Sequence, residues 1–93
     1  MLAQGMITVK EAVASAVEFA RNMLDPPPQD LRLEEVELGK IGPNDVWLIT
    51  LSRPADFTGL EFLRGRREYK VFTVRGDTGQ VVSMKIRELA NAQ

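Results

Sequence analysis

The chain contains no cysteine and no histidine. These absences exclude disulfide staples, thiolate nucleophiles, the common zinc ligand sets and any triad that uses an imidazole base. No cofactor motif is present either, so no catalytic, cofactor or metal residue is assigned, and the chain reads as non-enzymatic. Nowhere do apolar residues run for the ~20 positions that a helical membrane span requires. The first residues also lack the basic-then-apolar order of a secretory leader. The expectation is a soluble, cytoplasmic chain with no membrane partner, although a domain clipped from a longer precursor would read the same way.

What is present is a short chain with unevenly placed charge. Ninety-three residues are enough for one small domain, 1–93, with one modest core. The formal net charge is −1, which argues against a globally basic nucleic-acid binder. Residues 1–61 carry five basic and ten acidic groups, and residues 62–93 carry seven basic and three acidic. Such asymmetry suits an electrostatic surface for a partner or a second copy, and equally a solvated charge pattern.

The most specific local signal is a hairpin over Tyr69 to Arg87, turning at Gly76-Asp77-Thr78-Gly79. Gly79 suits the positive φ that closes such a turn. If Asp77-Thr78-Gly79 is the loop, Gly76 pairs with Gln80, Val74 with Val82, Phe72 with Met84 and Lys70 with Ile86. On the opposite face Thr73 meets Ser83, Val71 meets Lys85 and Tyr69 meets Arg87. That register collects Phe72, Val74, Val82, Met84 and Ile86 on one side, and a slip by one residue would scatter them.

Upstream, residues 1–6 read as a loose leader. Thr8 and Glu11 have the spacing of a capping box, with Ile7 as a hydrophobic staple opposite Ala12. Val9, Ala12, Val13, Ala16, Ala20 and Met23 form a helical stripe widened by Phe19 and Leu24. Pro26-Pro27-Pro28 ends it. Leu31 to Leu38 reads as a strand whose phase changes at Glu34-Glu35, as at a bulge. A turn is expected over Gly39 to Asp45. Val46 to Ser52 is apolar on both faces, like a central strand, with Trp47, Ile49 and Leu51 assigned to the helix side. Arg53 to Glu68 is a long connection, with a helical turn expected over Phe57 to Leu63.

One N-terminal helix packed on a four-stranded antiparallel sheet, an α+β two-layer domain, is the predicted fold. The sheet face away from the helix would then carry Val46, Leu48, Thr50, Tyr69, Val71, Thr73, Val81 and Ser83. That is too apolar for a wholly solvated surface, so either the 53–68 connection or another chain should cover it.

The helix start Ile7-Thr8-Val9-Lys10-Glu11-Ala12-Val13, the strand Tyr69-Lys70-Val71-Phe72-Thr73-Val74 and the ending Asp77-Thr78-Gly79-Gln80-Val81-Val82 together resemble a PepSY-type domain. The resemblance implies a cystatin-like fold, one helix on a curved antiparallel sheet. It also implies a non-catalytic inhibitory, regulatory or ligand-binding role, often secreted or membrane-attached. This chain differs in its longer loop before the last hairpin. A narrower likeness, to the Gln-x-Val-x-Gly loop of cystatins, stops at Gln80-Val81-Val82-Ser83, because Met84 replaces the glycine.

Three clusters remain. Arg64, Arg66, Arg67 and Lys70 could receive phosphate or carboxylate, with Phe62 and Tyr69 beside them to stack on bases; a solvated loop balanced by Glu61 and Glu68 is the plainer account. Glu34, Glu35 and Glu37 could support acid–base chemistry, but edge protection explains them more simply, with Glu35 and Glu37 on one face and Glu34 on the other. The acidic and basic clusters could also meet across a dimer interface. Arg75-Gly76-Asp77 spells an adhesion tripeptide, and turn geometry already accounts for it. The leading reading is a binding or regulatory module acting through Val46, Leu48, Tyr69, Val71 and Val81, as a homodimer or with another protein. The alternative is an anion- or nucleic-acid-binding module using Arg64, Arg66, Arg67 and Lys70.

Overall fold

Thr8 starts the helix as its spacing predicts. Its hydroxyl accepts from the Glu11 backbone N–H at 3.1 Å, and the Glu11 carboxylate accepts from the Thr8 N–H at 2.8 Å. In the computed structural model, which describes residues 5–25, 27–55 and 66–87, helix α1 spans Val9–Met23. Four strands follow: β1 Arg32–Ile41, β2 Asn44–Pro54, β3 Arg67–Arg75 and β4 Val81–Arg87. They form one antiparallel sheet in the order β1-β2-β3-β4, and α1 packs on one face of it. The architecture is the α+β arrangement of one helix on four antiparallel strands. Among the described residues no helix is long and apolar enough to cross a membrane.

Alanines at four-residue spacing let the helix approach the sheet closely. Ala12, Ala16 and Ala20 are fully buried against Ile49 and Leu51 of β2 and Phe72 and Val74 of β3. Phe19 meets Phe72 edge-to-face, ring centres 6.2 Å apart, a geometry favoured by the ring quadrupoles. Trp47 packs beside this core on the helix side, and its indole N–H donates to the Ile7 carbonyl at 3.2 Å. The Ile7 N–H in turn donates to the Gly76 carbonyl at 2.7 Å. Ile7, the residue just after the expected leader, is therefore tied to the sheet. Residues 1–4 lie outside the described residues.

Three boundaries differ from expectation. The turn expected over Gly39 to Asp45 contracts to Gly42-Pro43, because Gly42 takes φ +59° and lets the strands pair up to Ile41 and Asn44. The connection expected over 53–68 loses its ends to the sheet, where Arg53 pairs with Glu68 and Pro54 with Arg67. Its middle, residues 56–65, lies outside the described residues, together with Arg64 and the turn expected over Phe57–Leu63. In the last hairpin, Arg75 rather than Gly76 closes on Gln80, so Val74 faces Val81. An extra residue, Val82, then restores the expected register from Thr73–Ser83 through Tyr69–Arg87.

The bulge expected at Glu34-Glu35 is present, since Leu33 pairs with Leu51 and Glu35 with Thr50. It places Glu34 on the face away from α1, where its carboxylate accepts from the Ser52 hydroxyl at 2.6 Å. The expectation that Glu34 opposes Glu35 and Glu37 is thereby corrected: the inserted residue cancels the strand alternation.

Candidate protein-binding face

The sheet face away from α1 takes alternate residues of each strand. Cross-strand rows run Glu37–Leu48–Thr73–Ser83, Glu35–Thr50–Val71–Lys85 and Arg32–Ser52–Tyr69–Arg87. Glu35 and Glu37 therefore stand on the β1 rim, beyond Arg32 with its Asp30 partner, and Lys85 and Arg87 stand on the β4 rim. Apolar and hydroxyl groups fill the centre.

Of the five residues assigned to this face, four lie on it. Val46 is buried, while Leu48, Tyr69 and Val71 are half-buried. Val81 does not belong to it. Opposite Val74, it packs against the helix-side core, because the insertion of Val82 breaks the alternation that would have turned it outward. Leu48 lies against Gly39 on β1, and a methyl group there would come within 3.3 Å of a Leu48 methyl. The glycine gives Leu48 room to spread over the edge strand.

The centre of the face is more polar and better satisfied than the sequence suggests. Thr50, Ser52 and Thr73 are buried. Arg87 spans from β4 to pair with Glu35 on β1, and it donates to the Thr50 hydroxyl at 3.2 Å on the way. Arg67 donates from Nε to the Ser52 hydroxyl at 2.7 Å, and from Nη2 to the carbonyls of Ser52 at 3.0 Å and Asp30 at 2.6 Å. Its Nη1 reaches the Asp30 carboxylate at 3.2 Å. That hydrogen bond holds the Asp30 carboxyl below its ordinary pKa, and Arg32 adds to the effect. Asp30 itself sits at φ +52°, a conformation that aspartate tolerates better than most residues.

The basic cluster of the alternative reading is dispersed. Arg67 faces away from α1 and is held by Asp30 and Ser52. Lys70 pairs across from Leu51 on the helix side, with the Glu68 carboxylate 3.9 Å away. Glu68 also accepts from Arg53 at 2.7 Å. Arg66 is exposed between them, and Arg64 lies outside the described residues. Near Lys70, a hollow beneath the end of α1 is lined by Ala20, Leu24, Leu31, Leu51 and Phe72; its interior of about 10 Å³ is the space of one water molecule.

The acidic trio does not converge. Glu34 is engaged by Ser52 and Glu35 by Arg87, and among the described residues no group of three or more acidic side chains is placed to hold a metal ion. The Arg75 and Asp77 charges of the adhesion tripeptide are spent on each other through two hydrogen bonds of 2.9 and 2.8 Å. Sequence reasoning overlooked Lys85 and Arg87 as the basic rim. The signal was available, because both alternate with Met84 and Ile86 in the predicted strand. No protein-family model, no curated protein and no solved structure matches this chain.

Proposed function

We propose that the domain is a non-catalytic binding module that works through the sheet face away from α1 and associates there as a homodimer. The observation that carries this reading is the half-exposure of Leu48, Val71 and Tyr69 on the two central strands, between an acidic and a basic rim. Apolar groups at the middle of a sheet with charge around them have the anatomy of a protein interface, an apolar centre with a polar margin. The resemblance to PepSY-type domains supports the same reading, because members of that group act mainly by binding.

Val71→Asp tests it. A carboxylate at the centre of the patch should convert the dimer to monomer in sedimentation velocity while circular dichroism keeps the native signal. A native-like variant that sediments as wild type would overturn the assignment of this face.

A further inference from the structure

We propose that the two-fold axis of this dimer runs parallel to the strands, so that the β1 rim of one copy lies over the β4 rim of the other. The inference rests on the reading of this face as the dimer surface. Two sheets stacked face to face in the aligned mode keep their strands within about 30° of each other. A two-fold axis in the interface then runs either along the strands or across them. Along the strands, it sets β1 over the partner's β4 twice. Across the strands, it sets β1 over the partner's β1, and β4 over the partner's β4.

Charge separates these two arrangements. Glu37 sits beside Leu48 on the acidic rim, and Lys85 sits beside Val71 on the basic rim. Both are exposed, and among the described residues neither has an ion-pair partner. Glu35 and Arg87 are already paired with each other within the chain, which leaves Glu37 and Lys85 as the pair available to a second copy. An axis along the strands keeps each row at its own height, so Lys85 comes over the Glu35 row of the second copy, with Glu37 one row, about 7 Å, farther along and within reach of its ammonium, twice over. An axis across them sets carboxylate against carboxylate and ammonium against ammonium, an arrangement that like-charge repulsion disfavours.

The experiment is a set of charge reversals read by sedimentation equilibrium: Glu37→Lys, Lys85→Glu and the two combined. Each single reversal replaces two attractions with two repulsions and should raise the dimer dissociation constant roughly tenfold. The double variant exchanges the rims and should return to the wild-type value. Because both residues are exposed, all three variants should retain the wild-type circular dichroism spectrum. Single variants that dimerise as tightly as wild type, or more tightly, would overturn the axis while leaving the dimer face in place. A wild-type protein that is monomeric throughout would overturn the dimer reading itself, and the axis with it.

Discussion

Gly76 shows what one residue can demand without announcing it. The sequence presents it as half of a turn flanked by two glycines, and only Gly79, at φ +79°, uses glycine's conformational freedom. Gly76 is needed for space. A Cβ there would lie 2.9 Å from the Asp45 carbonyl oxygen and 2.8 Å from the Met6 methyl, while its own N–H donates to Asp45 and its carbonyl accepts from Ile7. Met6 can swing away, but the Asp45 backbone cannot move without disturbing β2. Gly76→Ala should therefore cost about 1–3 kcal/mol and lower the midpoint of chemical denaturation. A variant of wild-type stability would contradict this account of the contact. Trp47 was legible as a core residue because its size and its central position point inward. Its bond to the Ile7 carbonyl was not, because nothing local to residues 5–8 specifies where their backbone docks.

At the level of elements, periodicity gave the helix, its cap and the five hairpin pairs from Thr73–Ser83 to Tyr69–Arg87. The bulge in β4 was hidden because an extra loop residue near the turn is cancelled by Val82, so that the pattern farther along looks unbroken. The consequence falls on Val81, which moves from the expected binding face to the core. Helix width was also illegible. Ile86 on β4 shares the core's side of the sheet yet stays 69% exposed, because a single alanine-lined helix covers mainly the two central strands.

The clamp between Arg67 on β3 and Asp30, just before β1, makes a prediction at this same scale. The Asp30 carboxyl is held below its ordinary pKa, chiefly by the Arg67 hydrogen bond. Its contribution to stability is therefore complete above about pH 4 and is lost as pH falls through the lowered folded-state value. Asn at position 30 accommodates the same positive φ but cannot ionise. Asp30→Asn should flatten the acid side of the stability profile, measured as urea midpoints from neutral pH down to below about pH 4. An unchanged acid slope would contradict the clamp.

The whole molecule combines an apolar core on one face of its sheet with a polar, charge-rimmed surface on the other. The asymmetry between the two parts of the sequence hinted at this, but charge counted along the chain does not say which residues share a face. The sheet supplies that information by aligning Glu37 with Leu48 on β1 and β2, and Lys85 with Val71 on β4 and β3. It also disperses Arg67 and Lys70, neighbours in sequence, to opposite faces. The most direct measurement is the molar mass of the full chain by light scattering across a concentration series at low and moderate salt. Two chain masses, with dissociation promoted by salt as rim charges are screened, is the predicted result. A single chain mass at every concentration and both salt levels would contradict the account.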